Sequence, residues 1–195
     1  QNKSDIGKLY LGISFNEDQF NTFDQSVLKK VEGKLIQILA ENGIAASGYN
    51  NGLIIEPNII INNNEIVEGG MQNINVTKIT LQILIKQDQT QKIFTSLSKD
   101  LKGTGKTTDI AINNAINSLS SNDSSISNFI EKSKSKINQY YEQNCSSIIN
   151  RASSLEKTGQ YEEALALIMS VPESASCYNN AQNKALETYK NYQKK

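Results

Sequence analysis

The chain has 195 residues, of which 37% are hydrophobic and 21% are charged, so it is long enough to bury a substantial core. Its 20 basic and 20 acidic residues cancel, which argues against nucleic acid or an anionic membrane surface as a partner. The chain has no histidine, the commonest general base and zinc ligand. We therefore expect no enzyme of the Ser-His or Cys-His kind, no metal site and no cofactor. No apolar run approaches the ~20 residues of a membrane span.

The N-terminal part, residues 1–120, predicts an α+β domain with the element order β-α-β-β-β-α and its helices on one face of the sheet. Apolar and polar residues alternate over Leu9–Phe15, which is typical of a half-buried strand. The pattern then changes to helical spacing. Asp24 can cap this first helix, which ends near Asn42, and Gly43 suits the position after a helix end.

Three more strands are predicted, over Leu53–Ile61, Ile74–Lys86 and Gln91–Ser98. The first of them follows a loop at Gly48–Gly52 and contains Pro57, which has no N–H to donate and so predicts a sheet edge or a bulge. Clusters of Asn and Gly between the strands, Asn62–Asn64 and Gly69-Gly70, predict irregular connections. A helix capped by Thr107 or Thr108 and running to about Leu119 completes the domain.

A Ser/Asn/Asp-rich linker over Ser120–Ser125 separates this domain from a helical tail, residues 124–195. Apolar residues at three-or-four spacing predict one long helix from Ile126 to Lys157. A second helix is predicted over Gln160–Val171, where Pro172 ends it, and a third from about Ser176 to Tyr192.

The junction of the first two tail helices carries a small residue, a Gly-x-Tyr turn and a second small residue three positions after the tyrosine. The residues concerned are Ala152, Leu155, Gly159, Tyr161 and Ala164. This stretch resembles the centre of a tetratricopeptide repeat, a scaffold for protein–protein contacts. The resemblance implies that the glycine permits the turn, that the tyrosine fills the wedge between helices, and that the alanines allow close approach. An ordinary helical hairpin is the alternative.

The element order of residues 1–120 also resembles the periplasmic α/β domains of bacterial outer-membrane assembly and secretion lipoproteins, such as the curli-secretion and TolB N-terminal types. That resemblance implies an extracytoplasmic location. The chain begins Gln1-Asn2 without methionine, as removal of a signal peptide would leave it, although other truncations have the same result.

Cys145 and Cys177, the two cysteines, predict a disulfide within the tail. The first tail helix runs about thirteen residues from Cys145 to the turn, and the second runs back over a similar number. Because the rise per residue is the same in both helices, the chain is level with Cys145 again just before Cys177. A disulfide here indicates an oxidising compartment. Two neighbouring free thiols are the alternative.

A glycine-rich segment precedes the last helix of the first domain. Gly103, Gly105, Lys106 and Thr107 match the end of a phosphate-binding loop, but position 100, where the full motif has glycine, is Asp100. Nucleotide hydrolysis also needs a later strand with a magnesium-binding aspartate, and none is predicted. The remaining possibilities are a small-anion site formed by free amides and Lys106, or a plain strand-to-helix turn.

Taken together, these features predict a non-enzymatic interaction or assembly subunit of a larger extracytoplasmic complex, with other protein subunits as partners in a homo- or hetero-oligomer. A structural virion component, such as a phage ring or tail element, is the alternative. A nucleotide- or anion-binding protein acting through residues 103–108 is a second alternative.

Overall fold

The computed structural model describes residues 9–47 and 52–194; the predictions about the start of the chain and the loop at 48–51 lie outside these residues. Its fold is α+β. The elements, in chain order, are β1 Tyr10–Ile13, α1 Glu17–Thr22, α2 Gln25–Glu41, β2 Ala45–Ser47, β3 Leu53–Gly69, β4 Gln72–Gln87, β5 Lys92–Gly105, α3 Thr108–Asn117, α4 Ser124–Lys157, α5 Tyr161–Met169 and α6 Tyr178–Tyr192.

The strands form one mixed sheet in the order β2-β1-β3-β4-β5. β1 is parallel to both of its neighbours, with α2 as the crossover between β1 and β2, and β3, β4 and β5 form an antiparallel meander. The predicted order of the main elements is confirmed. Sequence reasoning missed α1 and β2, because six and three residues are too few to establish a period.

A hydrophobic core lies between the sheet and the helices that cover it. The apolar residues that recur at helical spacing along α2 and on one face of β4 are all buried: Val27, Leu28, Val31, Leu35, Ile38, Leu39, Ile79, Leu81, Ile83 and Ile85. The first half of α4 packs over the same layer through Ile126, Phe129 and Ile130. Each fully buried aliphatic side chain contributes about 1.5–3 kcal/mol by leaving water.

The strands of the meander are longer than predicted, and three boundary predictions are wrong. Asn62–Asn64 and Gly69 belong to β3 rather than to irregular connections, and β5 continues past Ser98 to Gly105. The asparagines remain in the strand because their amides bond laterally: Asn62 Nδ2 donates to Thr80 Oγ1 at 2.8 Å. Polar composition alone therefore gave the wrong boundary.

One edge of β3 is open beyond the short strand β1. The Ser14 N–H donates to the Ile55 carbonyl at 3.1 Å, so the backbone groups of Ile55 and of alternate residues after it point toward β1. Pairing with β1 ends at Ile55, and Pro57 is the next residue on that edge, where its missing N–H costs no ladder bond. The side-chain amide of Gln19 then bonds both backbone groups of Ile59. The bulge occurs later, between Ile61 and Asn63.

The tail helices extend the core rather than forming a separate one. Buried residues of α4, α5 and α6 belong to the same continuous hydrophobic cluster as the sheet, and α5 packs so closely on the turn before β3 that a Cβ on Gly52 would lie 2.5 Å from the Ala166 carbonyl oxygen. The division into residues 1–120 and 124–195 stays a prediction. Within residues 9–47 and 52–194, no helix combines the length and the hydrophobicity needed to cross a bilayer.

Candidate interaction surfaces

The far end of the β3–β4 hairpin, residues 62–74, projects from the sheet and is called the arm. On the β1 side, Gln19 bonds the backbone of β3 at Ile59, and on the other side β5 pairs with β4 only as far as Asn75. Three further residue pairs, Val67–Ile74 to Gly69–Gln72, close the hairpin. At about 3.3 Å per residue the arm therefore extends about 10 Å beyond the last residue paired to β5.

Apolar side chains cover the tip of the arm. Met71 is 98% exposed and Ile66 is 63% exposed, and Val67 and Ile74 are exposed as well. The turn is built by Gly70, whose φ of +52° lies in the left-handed region that glycine adopts most easily. Isolated exposed apolar residues are ordinary on a protein surface, but four of them on one projecting hairpin make it a candidate contact surface.

The base of the arm is held by a polar network against the start of α3. Asn64 Oδ1 accepts from Thr77 Oγ1 at 2.7 Å, and Asn64 Nδ2 donates to Thr108 Oγ1 at 3.1 Å. Asn75 Nδ2 donates to the Lys106 carbonyl at 3.0 Å. The asparagines thus fix the direction of the arm, and the tip is free to contact a partner.

The glycine-rich segment predicted as a candidate anion site lies largely within β5. Gly103 pairs with Thr77 and Gly105 with Asn75 in the β4–β5 ladder. A Cβ on Gly103 would overlap the backbone of Ala111 and Ala115, and one on Gly105 would lie 2.6 Å from a methyl carbon of Ile110. The two glycines therefore allow α3 to pack directly on the strand.

The last residues of the candidate anion site form the start of α3. The Thr107 hydroxyl accepts from the Ile110 N–H at 3.3 Å and caps the helix, as predicted from the sequence. Anion binding at Lys106 and this helix start stays a prediction.

The five tail residues that carried the repeat resemblance lie at the junction of α4 and α5. Ala152 and Ala164 are fully buried, which lets the two helices approach closely, and Leu155 packs against the core. Gly159 has a φ of +83° and turns the chain. Tyr161 is half-buried and stacks on Tyr192 of α6, with ring centroids 5.4 Å apart. The geometry is that of a tight helical hairpin, and its membership of the tetratricopeptide class stays a prediction.

A disulfide between Cys145 and Cys177 joins α4 to the start of α6, as predicted, with a Cα–Cα distance of 5.9 Å. The loop that the disulfide closes therefore contains α5 and the turns on either side of it.

One turn of α4 before the disulfide, Tyr141 is fully buried and its hydroxyl bonds Ser170 Oγ at 2.7 Å. Burial raises the pKa of Tyr141 well above its usual value, so this hydroxyl stays protonated and acts as a structural hydrogen-bond donor.

The described residues contain no cluster of three His, Cys, Asp or Glu side chains that could hold a metal ion. Sequence reasoning identified the polar segment Asn62–Asn73 as a plausible contact segment but did not predict its hairpin form, because its asparagines and glycines were assigned to loops. The available signal was a hairpin turn at Gly70, flanked by the apolar pair Ile66-Val67 on one side and Ile74 on the other.

Comparisons with known proteins find only distant similarity. No family model matches the chain, and no curated protein matches it. Among solved structures, the chain is similar to a minor lipoprotein from Acinetobacter baumannii, with 14% identity and a TM-score of 0.35 over 55% of this chain and 86% of that one. It is also similar to a neuraminyllactose-binding hemagglutinin homolog from Helicobacter pylori, with 16% identity and a TM-score of 0.34 over 67% and 82% of the two chains.

Proposed function

We propose that the chain is a non-enzymatic interaction subunit that joins a neighbouring protein subunit through the arm. The observation that carries this proposal is the projecting tip, where Met71 is 98% exposed and Ile66, Val67 and Ile74 are exposed with it. Val67 and Ile74 form a cross-strand pair on one face of the arm and Ile66 lies on the other face, so a partner that encloses the tip removes apolar surface of both faces from water. An adjacent strand of the partner gains the open backbone groups of β3 beyond Ile59.

The location that fits the molecule is an extracytoplasmic one. The disulfide between Cys145 and Cys177 uses both cysteines of the chain, and such bonds persist mainly in oxidising compartments. The periplasm or the exterior of a cell is therefore the proposed setting for the complex.

The non-enzymatic part of the proposal rests on side-chain chemistry. The sequence has no histidine, and the disulfide removes both cysteines as nucleophiles. Tyr141, the most deeply buried titratable phenol of the tail, bonds Ser170 inside the core and faces no open site. The virion and anion-binding alternatives stay predictions.

Site-specific photo-cross-linking tests the arm in living cells that express the protein. A photoreactive phenylalanine analogue replaces Met71 in one variant and Leu186 in the matched control. Leu186 lies on α6 and is 60% exposed, close to the 63% of Ile66. We expect a discrete adduct from position 71 and none of comparable yield from position 186.

A second substitution makes the cross-linking result specific to the arm. Ile66→Lys inserts a charge into the proposed contact, and we expect it to reduce the yield of the position-71 adduct at least about tenfold, since burying an unpaired charge costs several kcal/mol. Leu186→Lys is the control for surface charge and should leave the adduct unchanged. Equal adduct yields from positions 71 and 186, or a position-71 adduct that survives Ile66→Lys, would contradict the proposal.

A further inference from the structure

A groove runs between β5 and α4, on the opposite edge of the sheet from β2. One part of it, about 380 Å³ in volume, is lined by the five consecutive β5 residues 93–97 and by α4 residues from Ser125 to Lys136. A second part of about 310 Å³ continues along residues 92–94 and α4 as far as Gln143. Successive strand residues point to opposite faces of a sheet. A cavity lined by five in a row therefore follows the edge of the strand rather than either face.

The backbone of β5 is open toward this groove. β5 is the last strand of the sheet, and the ladders pair Ile55 with Ile85 and Ile85 with Thr95. Because the Ile55 carbonyl points toward β1, the alternation of an antiparallel ladder directs the backbone groups of Thr95 toward β4. It directs those of Ser96 away from the sheet, into the groove. An incoming strand has hydrogen-bonding partners there.

Contacts beneath the groove and at its ends fix α4 relative to β5. The Thr95 and Ser133 hydroxyls are both buried and bond each other at 2.5 Å, which holds the helix against the strand. Phe94 is displaced from the ladder by a register shift and packs edge-on against Tyr140, with ring centroids 5.4 Å apart. Lys99 forms an ion pair with Asp123 at the N-terminal end of α4. The helix and the strand are therefore pre-organised, which lowers the entropy cost of binding.

Three lysines line the groove: Lys92 on β5 and Lys132 and Lys136 on α4. None of the three forms an ion pair with an acidic side chain within the described part of the chain, and Lys136 borders both parts of the groove. The whole chain has a net charge of zero, so this is a local concentration of positive charge. Such a site favours an anionic partner.

We propose that this groove binds an extended acidic segment of another polypeptide, which adds to β5 as a sixth strand. Backbone bonds to Ser96 would hold the segment, and its carboxylates would face Lys132, Lys136 and Lys92. The six residues 92–97 span about 20 Å, so the segment has about six residues. The proposal is independent of the arm, which lies at the other end of the meander.

Fluorescence anisotropy with a labelled peptide tests the proposal. The probe is a fluorescein-labelled decapeptide of alternating glutamate and threonine, and its matched control carries N-methyl groups on alternate residues so that one backbone edge cannot pair. We expect saturable binding of the probe that weakens with salt, and at least about tenfold weaker binding of the methylated peptide, since it loses the backbone bonds. The double substitution Lys132→Glu/Lys136→Glu should weaken binding of the probe by about tenfold or more.

Matched variants separate this groove from general charge and from folding defects. Lys29→Glu/Lys30→Glu makes the same charge change on exposed residues of α2, and we expect at most about a twofold effect. Ser96→Pro removes the N–H that points into the groove and should weaken binding, whereas Ser96→Ala keeps it and should not. If Ser96→Pro does not fold, as judged by circular dichroism, the methylated peptide supplies the same comparison with the unaltered protein.

Four results would overturn the proposal. The first is no saturable binding of the probe at millimolar concentration. The second is equal binding of the methylated peptide, which would mean charge attraction without strand addition. The third is an equal loss in Lys29→Glu/Lys30→Glu, which would place the effect in overall charge. The fourth is equally tight binding of an oligothymidylate of the same length, which would identify a general polyanion surface.

Discussion

The β3–β4 hairpin contains both the most protected and the most exposed apolar side chains of the sheet. At its inner end Ile79 and Ile85 are fully buried beneath the helices, whereas at its tip Met71 is 98% exposed. Both ends have β-sheet pairing and both carry isoleucines, so strand propensity does not distinguish them. The difference is a third layer: α2, α3 and α4 cover one end and nothing in the described chain covers the other. The buried end thus stabilises the fold, and the exposed end is the part of the hairpin that we propose as the contact surface.

Paired alanine substitutions give the largest expected contrast between the two ends. Ile79→Ala opens a cavity in the core and should lower the free energy of unfolding by about 2–5 kcal/mol. Ile66→Ala removes a side chain that is 63% exposed and should change it by less than about 0.5 kcal/mol. Urea denaturation followed by circular dichroism measures both values. Equal losses at the two positions would show that the arm belongs to the stable core.

The disulfide should stabilise the part of the protein that the helices cover and should not affect the arm. Cys145→Ser/Cys177→Ser frees a loop with a sequence separation of 32 residues, and the chain-entropy model predicts a loss of about 3–4 kcal/mol. The same double variant should leave the cross-linking yield at Met71 unchanged under conditions in which it is folded. Chemical denaturation of the two proteins measures the loss. A difference below about 1 kcal/mol would mean that packing of α5 and α6 holds the tail without the bond.

Close packing of α3 on β5 makes Gly103 sensitive to the smallest enlargement. Gly103→Ala would force the new methyl group against the backbone of Ala111 and Ala115, and we expect a loss of about 2–3 kcal/mol. Gly33→Ala is the matched control, because nothing lies within 4 Å of its Cβ position on α2. It should stabilise the protein by up to about 1 kcal/mol through helix propensity. Thermal denaturation compares the two. A neutral Gly103→Ala would contradict the packing role assigned to the glycine.

A smaller and pH-dependent effect is expected at Glu156, which joins α4 to α6. Its carboxylate accepts hydrogen bonds from Lys184 at 2.8 Å, Asn191 at 2.6 Å and Thr188 at 3.0 Å. These contacts hold the pKa of Glu156 below the ordinary 4.5, and the hydrogen bond from Lys184 has the largest effect. Glu156→Gln should therefore cost about 1 kcal/mol near neutral pH.

The sign of the pH dependence follows from the lowered pKa. The stabilisation by Glu156 is fully present above pH 4.5, the ordinary value, and is lost as the pH falls through the lower pKa of the folded state. Unfolding free energies of the wild type and Glu156→Gln should therefore converge as the solution is acidified below that pH. A difference that stays constant down to pH 3 would assign the effect to packing rather than to charge.

Much of the covered end could be predicted from sequence, because burial leaves a periodic pattern. Ile79, Leu81 and Ile83 alternate with the polar residues Thr80 and Gln82, and the spacing of the two cysteines with the turn at Gly159 was enough to predict their bond. The exposed end left no such pattern. Asn62–Asn64 have the composition of a loop, and only the lateral hydrogen bonds of the folded hairpin show why they remain extended.

The groove could not be predicted at all, because its two sides are far apart in the chain. Lys92 lies on β5 and Lys136 lies 44 positions later on α4, so no short stretch of the sequence contains all three lysines of the groove. The same limit applies to Gly103: the sequence offered a small-anion site or a plain strand-to-helix turn for it, and the close packing of α3 on this residue is absent from a linear motif. Tertiary proximity decides both cases.

Hydrogen–deuterium exchange on the complex identified by the Met71 adduct, prepared without cross-linking, tests the central claim most directly. We expect amides of residues 62–74 to exchange faster than those of Ile79–Ile85 in the free protein and to become protected in the complex, while those of Ile79–Ile85 are protected in both. Unchanged exchange over residues 62–74, with new protection elsewhere on the chain, would contradict the assignment of the arm as the contact surface.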